Sequence, residues 1–348
     1  MKIARQILCF LPFAGLAHCA WAQSSVQIYG IADVYLGPVK DTRTTMKIAD
    51  GGIAASRLGF RGTEDLGGGW QSVFNLEMGM NLDDGSFTLG GGFGRMAFVG
   101  LKSPYGTVEM GRGYAPLFYS MQTVDLFTMN VNWSPAQLLS KSDGQGAAFA
   151  PIAPPMRLSN LVRYRHGDLS GSGFRFELAA APGEGAATSG RFVGGTLSYR
   201  AENYYVSYSG QRLNTGTNSA VSYHADAHLV NGKYMMGPVT LSAMYGVADA
   251  DAPGTFKSTL TLLGVTWNLG EHRLLAEFGR RNVSNSTRDN DMLTLGYDYN
   301  LSKRTTLYAR TLRLNNKGQA AISMGLATVP ANTGVDVSAM ALGIKHNF

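Results

Sequence analysis

The chain has 348 residues, with 30 Lys and Arg against 24 Asp and Glu, 44 glycines and two cysteines. Charged residues make up only 16% and the mean hydropathy is −0.06, a balance that does not suit a soluble α/β enzyme. The formal charge of +6 is mild, and no basic block is dense enough to suggest nucleic acid.

Residues 1–22 read as a secretory signal, with Lys2 and Arg5 at the positive end, Ile7 to Ala17 as the apolar core and Ala20-Trp21-Ala22 as the small-x-small site. A lipoprotein reading would use Cys19, but His18 stands where a small residue is wanted. Cleavage before Gln23 removes Cys9 and Cys19, so a mature chain of 23–348 is expected to lack disulfides and thiolate chemistry. Loss of Lys2 and Arg5 lowers the formal charge to +4. No later apolar stretch reaches the 18 or so residues of a membrane helix.

From Val26 onward the period is two. Leu58 and Phe60 oppose Arg57, Arg61 and Thr63; Trp70, Phe74, Leu76 and Met78 oppose Gln71, Asn75 and Glu77; Phe174, Phe176 and Leu178 oppose Arg175 and Glu177. About sixteen such segments run to Phe348, and their connectors alternate in length. Short ones (64–69, 102–105, 269–271) take turns with long ones (37–52, 81–92, 113–155, 313–336). Short turns on one side and long loops on the other predict an all-β fold: a 16-stranded antiparallel transmembrane β-barrel, closed because hydrocarbon cannot satisfy a sheet edge. Trp70, Tyr105, Tyr199, Tyr204, Trp267, Tyr297 and Tyr299 lie near strand ends, where interfacial girdles form.

The segment 113–155 is the longest without alternation, yet it carries too many apolar groups for a solvated tail, Leu117, Phe118, Phe127, Trp133 and Leu138 among them. It is expected to fold into the lumen as a constriction loop. Lumen parity falls to Arg57, Arg61, Arg95, Arg157, Arg163 and Arg165. The loop acid expected to face them is Asp125, with Asp143 second, while Glu77 and Glu109 offset part of the wall. The imbalance predicts weak anion preference. Alternatively, Tyr114, Phe118, Tyr119, Phe127 and Trp133 form an aromatic track in a channel specific for a sugar or small organic acid. Outward Ile28, Leu58, Phe60, Met96 and Phe98 are candidates for subunit contacts.

Enzyme-like constellations are weak. His224, Asp226 and His228 share one strand face, where two His at i, i+2 could bind zinc, but a polar strand explains them equally. No His stands in a hydrolase motif, and Leu89-Gly-Gly-Gly-Phe-Gly94 lacks the Lys-Ser/Thr of a phosphate cradle. No catalyst, cofactor or metal is expected.

The ordered set Ser24–Asp33 (SSVQIYGIAD), Ser56–Gly79 (SRLGFRGTEDLGGGWQSVFNLEMG), Phe93–Leu101 (FGRMAFVGL), Tyr105–Arg112 (YGTVEMGR), Arg157–Arg165 (RLSNLVRYR) and Ala341–Phe348 (ALGIKHNF) resembles the Gram-negative general porins of the β-proteobacterial type across the mature chain. The resemblance implies a homotrimer in the outer membrane passing ions and small hydrophilic solutes. It also implies a basic cluster of Arg57, Arg95 and Arg157 facing the inward loop, and a terminal Phe348 read by the outer-membrane assembly machinery. The Pro-Glu-Phe-Gly-Gly tip of many enterobacterial inward loops is absent, which leaves the acidic half of the constriction open.

Overall fold

The structure, a computed structural model, describes residues 25–140, 156–167, 171–185, 189–215, 222–252, 254–326 and 333–348. The expected signal segment and Asp143 lie outside them. Strands β1 (Ser25–Lys40), β2 (Thr44–Asp50), β3 (Arg57–Gly67), β4 (Trp70–Gly79), β5 (Met96–Ser103) and β6 (Gly106–Tyr114) come first. Helix α1 (Pro116–Val124) and a 3-10 helix (Pro135–Ser140) follow. Then come β7 (Arg157–His166), β8 (Gly173–Ala181), β9 (Ser189–Arg200), β10 (Tyr204–Thr215), β11 (His224–Met236), β12 (Val239–Ala250), β13 (Ser258–Leu269), β14 (His272–Val283), β15 (Asn290–Asn300), β16 (Thr305–Asn316) and β17 (Val337–Asn347).

All pairings are antiparallel neighbours, and β1 closes the cylinder on β17, from Ile31 opposite Asn347 to Lys40 opposite Ser338. β2 and β3 both pair with β1, at Val34–Lys40 and Ser25–Ile31 respectively, so together they make one stave and the barrel has sixteen. Their break is fixed by Asp33, whose carboxylate accepts the amides of Gly52, Ile53 and Ala54 at 2.8–3.1 Å. The expected long loop 37–52 is therefore mostly strand, with only Asp41 to Arg43 as its tip. Phe348 exchanges backbone hydrogen bonds with Gly30 (3.0 and 3.1 Å), and its ring lies over that glycine, filling the space a side chain would need.

Parity sorts the faces. Val26, Ile28, Val99, Leu178, Leu197, Leu263 and Leu342 are exposed on the outside, whereas Glu77, Glu109, Ser207, Asn231 and Glu277 are buried within. Trp70, Tyr105, Tyr204, Trp267, Tyr297 and Tyr299 are exposed large aromatics at the ends with short turns. Two positions differ from expectation. Met96 pairs with Glu77 and Phe98 with Asn75, so both turn inward. Arg95 precedes the strand and is drawn inward by Glu77, so alternation restarts at Met96 instead of continuing through it.

The segment after β6 crosses the lumen. Ser120 Oγ lies 2.8 Å from Ser207 Oγ on β10, Asn231 on β11 donates to the Ser120 carbonyl (3.1 Å), and Lys233 donates to the Thr123 carbonyl (3.0 Å). Leu126 N then donates to Glu277 on β14 (3.0 Å), half the circumference from β6. Beyond it Trp133, Leu138 and Leu139 are fully buried, packed with Leu229, Leu260, Leu262, Met292 and Leu314 from the wall and with Ile322 and Met324 from the last long connection. Each such side chain contributes about 2 kcal/mol by leaving water.

What lets the backbone come so close is a row of inward glycines on four consecutive strands. A Cβ added at Gly246, Gly264 or Gly279 would stand 2.7–2.8 Å from Leu139, Leu126 or Pro135, and one at Gly296 would stand 3.1 Å from Phe127. Glycine inside a strand marks such close approach. The Gly279→Val variant should keep the barrel but push Pro135 toward the middle of the lumen, lowering single-channel conductance and exposing the segment to protease, with a stability loss of about 1–3 kcal/mol. Unchanged conductance and protection would contradict the seat.

Candidate functional site

With the segment seated against β11–β15, a cavity of about 710 Å³ remains between it and the opposite wall, lined by Arg57, Arg95, Arg157, Tyr114, Phe118 and Gln122 among others. Arg57 comes from the start of β3, directly after the Asp33-bound break. Arg95 comes from the residue before β5, and Arg157 from the first residue of β7. Three strand starts thus converge at one height.

Their partners are few. Arg95 Nε donates to Glu77 Oε1 at 2.6 Å, and the same oxygen lies 3.8 Å from Arg57 NH1. Glu77 Oε2 accepts from the Tyr29 hydroxyl (2.9 Å), so one buried carboxylate serves two arginines. The Tyr114 hydroxyl accepts from Arg95 NH2 (2.9 Å) and from Arg157 NH2. Arg157 also lies over the Tyr114 ring, 4.2 Å from its centroid, and Phe118 stacks on the same ring at 4.1 Å. The arginines are oriented by neutral and aromatic groups as much as by charge, so their positive field is only partly cancelled.

The other expected residues are placed differently. Arg163 is buried, ion-paired to Glu109, 3.7 Å from Glu177, and lies over the Tyr119 ring at 5.1 Å, where it braces the root of the inward segment. Burial pushes the Tyr119 phenol above its ordinary range, against the pull of that guanidinium. Arg61 is exposed, donates to Gln27 (3.1 Å), and lines a separate cavity toward the short turns. Asp125 does not face the arginines: it is buried at the far wall, where Oδ1 accepts the Phe127 amide (3.0 Å) and Oδ2 accepts from Met129 N and from Ser134 Oγ (2.6 Å). Its carboxylate is used up folding its own loop, against Glu277. Phe127 and Trp133 are buried in the seat and form no open track. On the outer wall Asp226 is held bidentately by Arg212 (2.7 and 2.7 Å) and His228 meets the Tyr208 hydroxyl (2.8 Å).

The residues that sequence reasoning missed are Tyr114 as the shared acceptor and the four seating glycines. Isolated glycines inside alternating strands were the available signal.

A closed sixteen-stave barrel with a chain segment seated inside it fits the family comparison, in which the model for the Gram-negative porins matches residues 10–319. The chain belongs to the Gram-negative porin family. This porin is 29% identical to outer membrane porin protein 32 of Delftia acidovorans over 99% of this chain and 100% of that protein. It is 26% identical to the major outer membrane protein P.IB of Neisseria lactamica, covering 98% of this chain and 97% of the other. Among solved structures, the anion-selective porin from Comamonas acidovorans superposes with a TM-score of 0.82 at 27% identity, over 94% of this chain and 100% of that one. A porin of this family resides in the outer membrane.

Two variants separate the roles of the acids. Glu77→Gln should raise the anion-to-cation permeability ratio, because Arg57 and Arg95 lose their shared counter-charge. Asp125→Asn should leave that ratio nearly unchanged and instead lower thermal stability by about 1–3 kcal/mol through lost loop hydrogen bonds. A large selectivity change in Asp125→Asn, with none in Glu77→Gln, would reverse the assignment.

Proposed function

We propose that this porin is a general diffusion channel for ions and small hydrophilic solutes, weakly anion-selective, with Arg57, Arg95 and Arg157 forming the basic wall of its constriction and the 113–155 segment the other wall. The observation that carries the reading is that three guanidinium groups line the cavity left by the inward segment, with one carboxylate, Glu77, paired to Arg57 and Arg95 and the Tyr114 phenol in place of a second acid beside Arg157. The Debye length is about 8 Å at physiological salt, so this excess positive charge is felt by an ion passing within that distance of the wall. The basic wall carries no chemistry beyond that field, and passage is passive. The anion selectivity of the Comamonas acidovorans porin supports the same sign.

Assembly follows as part of the proposal. Val26, Ile28, Leu36, Met340 and Leu342 form an exposed apolar face on β1 and β17, suited to a homotrimer contact, with lipid covering the rest. Phe348, exposed at the short-turn rim, is suited to recognition by the assembly machinery. Unheated protein in mild detergent should run as a trimer, and a folded monomer under those conditions would count against this contact.

Selectivity is tested by the reversal potential in a KCl gradient. The Arg57→Gln, Arg157→Gln double variant should lose most of the anion preference at low salt, and the difference from the wild type should shrink in molar salt. An unmodified channel that favours cations at low salt would overturn the reading.

A further inference from the structure

A second cationic chamber lies below the inward segment, toward the short-turn end. Two cavities there, of about 710 and 380 Å³, share Lys102, Thr107 and Arg165 in their linings. The larger adds Arg175 and Glu177, and the smaller adds Arg61 and Glu109. Four cationic side chains thus face two carboxylates, and both carboxylates are also engaged by Arg163. Arg165 donates through NH2 to Glu109, but its buried Nε makes no hydrogen bond. Opposite the cations, the roof and far wall of the larger cavity are hydroxyl-bearing: Ser120 and Thr123 on α1, Thr196 and Ser198 on β9. Pro104, Pro116, Tyr119, Phe176 and Tyr205 complete the lining of the larger cavity.

We propose that this chamber is a distinct binding site for doubly charged oxyanions bearing hydroxyl groups, of the phosphate-ester class, entered from the periplasmic side. Arg165, at the junction of the two cavities, supplies a fork matched to a tetrahedral oxyanion, and Lys102 supplies a mobile second charge. Ser120, Thr123 and Thr196 already bond to Ser207, the Tyr119 carbonyl and Ser209, so with Ser198 they present acceptor oxygens to a polyol portion. The constriction cavity also carries hydroxyls, on Thr88, Tyr114 and Thr128, so the chamber is set apart by its place below the inward segment and its access from the short-turn end. The site rests on the reading of the chain as an open pore, but not on the sign of its ion selectivity.

The test is sided block in a planar bilayer. With no cysteine in the mature chain, a single Asp84→Cys at an exposed outer loop reports orientation through a bulky thiol reagent. Glycerol 3-phosphate added on the periplasmic side should block chloride current at lower concentration than from the other side, and glycerol should not block. Lys102→Gln together with Arg165→Gln should raise the blocking concentration about tenfold or more, the loss expected when charge-assisted hydrogen bonds to an anion are removed. In the same variant the reversal potential in KCl should keep its sign, since Arg57, Arg95 and Arg157 are intact. Equal block from both sides, or block that survives the double variant and disappears with Arg157→Gln, would place binding at the constriction and overturn the chamber. If the double variant assembles poorly, Lys102→Gln alone should still shift the sided block, because Lys102 is exposed and its loss leaves no buried partner. Loss of anion preference in the wild type, with sided block retained, would sink the constriction reading and leave this one standing.

Discussion

Everything in this barrel depends on a segment that must bury its apolar side chains and has only the inside of the cylinder in which to do so. Leu126, Phe127, Pro135 and Leu139 reach the wall because Gly264, Gly296, Gly279 and Gly246 present bare backbone there. A side chain at any of these positions would hold the segment nearer the middle of the lumen. Seated as it is, the segment fills the β11–β16 half with hydrocarbon and confines the remaining space to the half that carries Arg57, Arg95 and Arg157. On the proposed reading, selectivity is set twice, by where the apolar loop goes and by which charges it leaves uncovered.

The two carboxylates at either side of the segment do opposite work. Glu77 is shared between Arg57 and Arg95 and cancels part of their positive field. Asp125 accepts from Phe127, Met129 and Ser134 within its own loop, so its charge is spent on backbone geometry. Buried charge is tolerated where hydrogen bonds surround it, and the loop exploits this to end α1 and turn toward β14.

Much of the fold was legible in the sequence because lipid imposes a strict period of two: Leu58 and Phe60 against Arg57 and Arg61, or Phe174 and Phe176 against Arg175 and Glu177, leave little choice of face. The connector rule was equally plain. Legibility failed where backbone, and not side-chain pattern, decides. Gly37 and Pro38 read as loop, yet β1 continues through them to Lys40 because β2 pairs along that edge. Counting parity through Arg95 puts Met96 and Phe98 outward, but the direction of Arg95 is fixed by Glu77 across the strand pair. The site was half legible: the arginines follow from parity and from family likeness, whereas Tyr114 as their common acceptor depends on three strand starts meeting in space. Asp125 carried a local sign that was there to be read, an Asp followed two and four residues later by amides it can accept.

The most direct test of this account is the position of a permeant anion. Crystals of the detergent-solubilised protein soaked in bromide, with anomalous diffraction at the bromine edge, should show sites beside Arg57 and Arg157 near Tyr114 and none along the seat formed by β12–β15. Bromide along that seat, or an inward segment detached from Gly279 and Glu277, would contradict it.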